Sequence, residues 1–341
     1  MIYCRKRFIP PKEIFMKNIL VLLPYDENSK EKLISAVKDK CRISFINRKE
    51  HPEEYLSALK TANLIIGEVP NGDFQHCEEL EMLQSSSSGI NYYVEGGKFP
   101  EGAKLCCMTG VYGNVIAEHL LGMMLSICRR IPEYRNQQNE ENWKILRYDK
   151  PLEESTVLIL GAGDIGTTLA KWLRPMVGKI IGIRRTKRAF PDFFDEMFTL
   201  EKLDEKLPEA DFVISILPQT PETTGLFDER RLRLMKDDAV LINGGRGSLI
   251  DQEALLKVMS ERKFFGVGLD VTTPEPLPKE SPLWKQERLL ITPHAAGNSC
   301  SLKSPLERKI RNFILKNTLK WLSGEEPENV IDFSLGYKKN V

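Results

Sequence analysis

The chain has 341 residues, enough for two domains with sizeable cores. Lys and Arg (49) balance Asp and Glu (48) to a formal net charge of +1, which argues against nucleic acid or an acidic membrane surface as a partner. The longest apolar run, 120–128, is too short and too interrupted to cross a membrane, and seven cysteines without a C-x-x-C pair argue against a disulfide framework or a metal site and fit a reducing cytoplasm.

Residues 1–15 are basic but lack an apolar core and a cleavage site, so they are read as an extension outside the fold and not as a secretory signal. Apolar strands are expected at 18–24, 43–46 and 64–66, with helices at 29–40 and 53–61 between them. That alternation implies a parallel sheet covered on both faces. The serine-rich turn 86–91 reads as a loop with exposed N–H groups, and Cys106 and Cys107 as part of a buried strand. Residues 112–131 form the longest helix candidate, apolar nearly all round and stopped by Pro132.

A second series opens at Ser155, with strands expected at 156–160, 179–183, 211–216, 239–243, 265–270 and 288–292. Strands and helices in that order make a full doubly wound nucleotide domain. The last helix begins with Ser304 as N-cap, Pro305 in the first turn and Glu307 completing a capping box, and Gly324 ends it. Because it follows the nucleotide domain, it is expected to pack back on the first domain. The expected fold is therefore α/β, with two doubly wound parallel-sheet domains. A Rossmann nucleotide domain (115–298) is inserted in a discontinuous, flavodoxin-like substrate domain (16–114 and 299–341).

The densest signal lies at 157–166. An apolar strand runs straight into Gly161-Ala162-Gly163-Asp164-Ile165-Gly166, then into a helical segment and a second strand. In that context G-x-G-x-x-G is a dinucleotide fingerprint: Gly161 for the tight turn, Gly163 for close approach of the pyrophosphate, Gly166 for helix packing. The phosphates would meet the helix N-terminus, where free N–H groups favour negative charge. An NAD site usually places an acidic residue at the end of the second strand, about 20 residues on. Here Arg184, Arg185, Thr186, Lys187 and Arg188 stand there instead. Cations suit a 2′-phosphate, so NADP(H) is favoured over NAD(H); a merely solvated basic turn is the plainer alternative.

Ligands of open parallel sheets bind beyond the carboxyl ends of the strands. Arg246, Asp270, Glu275 and His294 all fall at such ends. Carbonyl reduction asks for that set: a proton donor, a carboxylate to orient it, and a guanidinium for the substrate carboxylate.

With these motifs in hand, the chain resembles the D-isomer-specific 2-hydroxyacid dehydrogenases. The resemblance is carried by the fingerprint and by ADFVISILPQTPETTGL at 210–226. LINGGRGSLID at 241–251, GLDVTTPEPLP at 268–278 and SPLWKQERLLITPHAAG at 281–297 extend it. It implies Arg246, Glu275 and His294 as catalytic residues and Asp270 at the nicotinamide amide. It implies a cofactor lined by Asp164, Ile165, Leu217, Pro218, Thr223, Gly244, Gly245 and Arg246. Ser88 and Gly89 would offer N–H groups to the substrate carboxylate. A small 2-oxo acid such as glyoxylate or hydroxypyruvate is the expected substrate, chosen by loops near 68–71 and 85–91 with Trp284 and Tyr112. The family also implies a homodimer. Two alternatives stand beside this: an NAD-dependent D-2-hydroxyacid dehydrogenase, and a dinucleotide-sensing interaction protein of the C-terminal-binding corepressor type.

Overall fold

A computed structural model describes residues 16–96, 98–186, 189–298, 301–334 and 337–338. The N-terminal extension, together with Lys187 and Arg188 of the basic run, lies outside the described residues. Contacts divide the chain into two units: one runs to Met108 and resumes at Arg308, and the other is Thr109–Glu307.

In the first unit the elements follow as β1 (Lys17–Val21), α1 (Glu27–Val37), β2 (Cys41–Phe45), α2 (Pro52–Thr61), β3 (Leu64–Ile66), β4 (Met82–Gln84), α3 (Asn91–Glu95) and β5 (Lys104–Cys106). The strands pair in parallel in the order β2-β1-β3-β4-β5. This is the flavodoxin-like order, with its switch point between β1 and β3. β3 and β4 are buried at every position, as a sheet covered on both faces requires. β4 was not expected from the sequence, because it is short and ends in a polar residue.

The second unit holds α4 (Gly113–Cys128), α5 (Ile131–Asn139), β6 (Thr156–Leu160), α6 (Asp164–Leu173), β7 (Lys179–Ile183), β8 (Glu196–Phe198), α7 (Leu203–Lys206), β9 (Phe212–Ser215), α8 (Glu229–Leu234), β10 (Val240–Asn243), α9 (Gln252–Ser260), β11 (Gly266–Leu269) and β12 (Leu289–Ile291). Its sheet runs β12-β11-β10-β9-β6-β7-β8, all parallel. Counted from β6, that is the Rossmann order with one strand added, and the order reverses between β6 and β9. The edge strand β8 was missed because its three residues are only partly buried and carry no apolar run.

The long apolar helix ends earlier than expected. Arg130 takes a left-handed conformation (φ 55°) just after α4, and Pro132 then opens α5 instead of stopping α4. Proline is tolerated in a first turn because its missing N–H would have no helical partner there. α4 packs within its own unit on α6, β10 and β11.

The last helix, α10 (Pro305–Ser323), begins as expected: Ser304 Oγ accepts from Glu307 N at 3.1 Å. Its return to the first unit is specified by polar groups as well as apolar ones. Asn317 Nδ2 donates to Gln84 Oε1 (2.7 Å) and to the Glu328 carbonyl (3.0 Å), and Trp321 Nε1 donates to Glu81 (3.1 Å). Gln84 is fully buried and would be costly there without such a partner.

At the start of the second sheet, Asp211 joins β6 to β9. Its carboxylate accepts from Thr156 N (2.9 Å) and Lys236 Nζ (2.9 Å), with Lys150 Nζ at 3.7 Å. Burial alone would raise its pKa, but the Thr156 N–H and the two lysines outweigh burial and hold it below the usual aspartate range. A depressed folded pKa adds stability above the unfolded value, and that stability is lost as pH falls through the folded one. Asp211→Asn is therefore expected to cost about 1.5–3 kcal/mol at pH 7. The gap from the parent should close below about pH 4 in thermal melts. A gap that stays constant down to pH 3 would show that Asp211 acts without its charge.

Candidate active site

The glycine fingerprint sits at the switch point, between the ends of β6 and β9. Gly161 has φ 105°, and a Cβ there would lie 3.0 Å from the Ile216 carbonyl oxygen. A Cβ on Gly166 would fall 2.2 Å from the Gly161 carbonyl oxygen, so α6 can pack this closely only without a side chain. A Cβ on Gly163 would meet nothing within 4 Å. Gly163 is also the N-cap of α6, and no side chain caps that end. Its first-turn N–H groups therefore remain available to an anion. Open space at Gly163 and uncapped donors beside it fit a dinucleotide pyrophosphate.

Beyond β7 the basic residues divide. Arg184 is buried, and its guanidinium donates to the Ala189 carbonyl at 3.2 and 3.3 Å, which closes the turn after the strand. Arg185 and Thr186 are exposed. Thr223 also turns inward: its hydroxyl donates to the Pro218 carbonyl (2.7 Å) and accepts from Thr220 N (2.8 Å), shaping the loop that Leu217 and Pro218 begin.

Four residues gather at the ends of β10, β11 and β12. Asp270 follows β11 and is almost completely buried. Its carboxylate accepts from Thr292 Oγ1 (2.6 Å), Ala295 N (2.9 Å) and Ala296 N (3.2 Å), and its carbonyl accepts from His294 N (2.7 Å). These bonds hold His294 in a left-handed conformation (φ 53°), which a side chain other than glycine's seldom adopts. His294 Nδ1 lies 2.7 Å from Glu275 Oε2, and Glu275 Oε1 accepts from Thr272 N at 3.1 Å. Arg246 follows β10. Burial pulls its pKa down and the nearby Glu275 charge opposes that pull, so the two groups act on one another. A guanidinium stays protonated through such a shift. Arg246, Glu275 and His294 thus all follow strands of one sheet, and the last two are hydrogen-bonded.

Residues 121–296 match the family described as D-isomer specific 2-hydroxyacid dehydrogenase, NAD binding domain. The chain belongs to this family. A Corynebacterium melassecola protein, described only as an uncharacterized protein in the proB 3′ region, is 33% identical over 267 residues, covering 76% of this chain and 84% of that protein. A D-isomer specific 2-hydroxyacid dehydrogenase family protein from Aeromonas salmonicida superposes with a TM-score of 0.82 at 28% identity, over 93% of this chain and 99% of the other. A D-isomer specific 2-hydroxyacid dehydrogenase from Xanthobacter autotrophicus, solved with NADPH and MES, gives 0.78 at 25% identity, over 94% and 100%.

As a 2-hydroxyacid dehydrogenase, the chain is an NAD(P)-dependent enzyme and its second unit is the nucleotide-binding domain. One residue of that unit escaped notice in the sequence. His119 on α4 places Nε2 3.0 Å from Thr292 Oγ1 and 3.4 Å from Asp270 Oδ1. A histidine on a largely apolar helix needs a polar partner, and that is the signal the sequence offers. In the first unit, the 88–89 turn is less open than expected. Gly89 N donates to Ser87 Oγ at 3.1 Å, whereas Ser88 N has no partner among the described residues.

The three glycines make different demands, which a pair of variants separates. Gly166→Ala should destabilise the fold strongly, since the close atom is backbone. Gly163→Ala should leave the melting temperature within about a degree, because surface changes away from packed features rarely exceed about 0.5 kcal/mol. It should nonetheless weaken NADPH binding at least about tenfold, the loss of roughly one charge-assisted hydrogen bond. Fluorescence titration of folded Gly163→Ala with parental affinity would rule out pyrophosphate approach at this position.

Proposed function

We infer that the enzyme reduces a small 2-oxo acid, of the glyoxylate or hydroxypyruvate type, to the D-2-hydroxy acid, with NADP(H) as the favoured cofactor. The observation that carries this reading is the Glu275–His294 pair beside Arg246, at the strand ends of a nucleotide domain. Glu275 accepts from Nδ1–H of His294, which leaves Nε2 to carry a proton. Nε2 gives that proton to the carbonyl oxygen during reduction and takes it back in the reverse direction. His294 is 51% exposed in its side chain, so its proton is replaced from water. Arg246 Nη1 donates to the Gly245 carbonyl at 2.6 Å, and the remaining guanidinium N–H groups hold the substrate carboxylate and polarise the carbonyl. In the first unit, the Ser88 N–H is the donor left over for a carboxylate among the described residues. The bound nicotinamide supplies the hydride.

A panel of 2-oxo acids assayed with NADPH and NADH tests the reading. His294→Asn should cut kcat by about 10²–10⁴ while NADPH binding holds. Arg246→Lys keeps the charge without the fork and should stay impaired. If His294→Asn turns over within a few-fold of the parent, the proton-donor role falls.

Support for NADP(H) comes from the strand-end residues and from the NADPH complex of the Xanthobacter relative. Arg184 holds the turn, so the phosphate contacts are assigned chiefly to Arg185 and Thr186. A single charge-assisted contact should favour NADPH over NADH by at least about tenfold in kcat/KM. Arg185→Ala should erase most of that ratio, and high salt should shrink it. Equal kcat/KM for the two cofactors in the parent would make 184–186 a solvated turn and return the reading to an NAD-type enzyme.

A further inference from the structure

The loop after β4 carries four consecutive serines, and the structure uses all four hydroxyls. Ser85 Oγ donates to Glu68 Oε1 at 2.8 Å and accepts from Ser87 N at 3.0 Å. Ser86 donates to the same carboxylate oxygen twice, through N at 2.8 Å and Oγ at 2.9 Å. Ser87 Oγ accepts from Gly89 N, and Ser88 Oγ donates to the Met108 carbonyl at 3.2 Å. The other Glu68 oxygen accepts from Tyr93 Oη at 2.5 Å.

Glu68 stands just past β3, at the switch point of the first sheet. Its carboxylate therefore takes four donors: three from the serine loop and one from a tyrosine of α3. Tyr93 is itself fixed, since it is buried, its ring meets Phe74 (5.8 Å) and Phe99 (6.4 Å), and its oxygen accepts from Val69 N at 3.1 Å. Burial and the adjacent Glu68 charge push the phenol pKa up, so Tyr93 remains a neutral donor. An ionised carboxylate is an acceptor only, with about four lone-pair sites. Glu68 is thus a node that ties the loop to the apolar core.

Counting the loop's backbone donors shows what the node leaves over. Ser85 N donates to the Cys106 carbonyl (2.9 Å), Ser86 N to Glu68, Ser87 N to Ser85 Oγ and Gly89 N to Ser87 Oγ. Of the N–H groups at 85–89, Ser88 alone has no partner among the described residues. Among the described residues, the loop's backbone N–H groups are thus all taken except one.

We propose that Glu68 is the positioning residue of the substrate-carboxylate loop, holding 85–89 so that the Ser88 N–H is left to receive the 2-oxo acid. This rests on the functional reading above. Glu68 acts through the loop and does not touch substrate. Recognition at this loop then comes from backbone and not from serine hydroxyls, so it selects the carboxylate common to 2-oxo acids over any particular side chain.

Three variants of the full chain test the proposal, with glyoxylate and hydroxypyruvate as probes. Glu68→Ala should raise KM at least about tenfold, the loss of more than one charged hydrogen bond. Its kcat and its NADPH affinity by fluorescence titration should stay within about threefold of the parent, below one such bond. Glu68→Gln keeps an acceptor for Ser85 and Ser86, so it should recover most of the KM. A carboxylate acting on substrate directly would leave Gln as impaired as Ala, which overturns the positioning role. Should Glu68→Ala fail to fold, Glu68→Asp retains the charge but not the reach and is expected to raise KM in the same way. Hydrogen exchange separates this idea from the functional reading. If the parent reduces no 2-oxo acid, that reading fails, yet amides 85–89 must still exchange faster in Glu68→Ala or Glu68→Asp. Unchanged exchange there overturns the proposal, whatever the substrate.

Discussion

Asp270 lies where water cannot reach it, and an unpaired carboxylate there would cost several kcal/mol. The chain answers by bending its own backbone around the group. The segment after β12 turns so that Ala295 N and Ala296 N both point at the carboxylate, while Thr292 Oγ1 closes it from the strand end. His294 sits inside that turn and must take φ 53° to allow it. A left-handed residue other than glycine costs roughly 1–3 kcal/mol and persists only where its surroundings over-determine it. Here two carbonyls, from Asp270 and Thr292, accept from the His294 N–H. The backbone that carries the imidazole is thus shaped by the burial of Asp270, and Glu275 then engages its Nδ1.

The same dependence explains why α4 belongs with the second sheet. Ala117, Leu120 and Met124 on α4 are fully buried, and His119 projects from the same helix to Thr292 and Asp270. One helix therefore supplies apolar cover to β10 and β11 and a polar partner at their ends. The glycine fingerprint and the Glu275–His294 pair share one edge because parallel strands all present their carboxyl ends there, and the order reversal between β6 and β9 opens that edge at Gly161.

Much of this was legible in the sequence because the constraints are local. Gly161 and Gly166 are demanded by one turn, with open space at Gly163 beside them, and a strand followed by a polar residue marks a sheet edge at Arg246, Asp270 and His294. The missed features are those in which distant residues decide. β4 is a strand because it pairs with β3 and β5 on either side, and its polar end Gln84 is satisfied by Asn317, far along the chain. β8 is an edge strand through its pairing with β7, with Glu196 facing Lys179 and Lys206. Arg184 has the right spacing for a phosphate, yet the Ala189 carbonyl five residues on takes its guanidinium. No periodicity reports such pairings, since each depends on where the backbone returns.

Glu68 and Asp270 show one device used in both units. Each carboxylate follows a strand at a sheet's carboxyl edge, and each gathers backbone N–H and hydroxyl donors from the next loop in space. Loops at such edges must be polar to bind ligands, but polar loops left to themselves sample many shapes and lose entropy on binding. A buried or half-buried acceptor removes that freedom beforehand, at the cost of desolvating one charge. Because an ionised carboxylate can take several donors at once, one residue suffices to order four or five. Among the described residues, what these acceptors leave over is then defined by subtraction: at 85–89 it is the Ser88 N–H, and around Asp270 it is the exposed ring of His294. On the functional reading proposed above, the groups that meet substrate are those that these internal acceptors leave over.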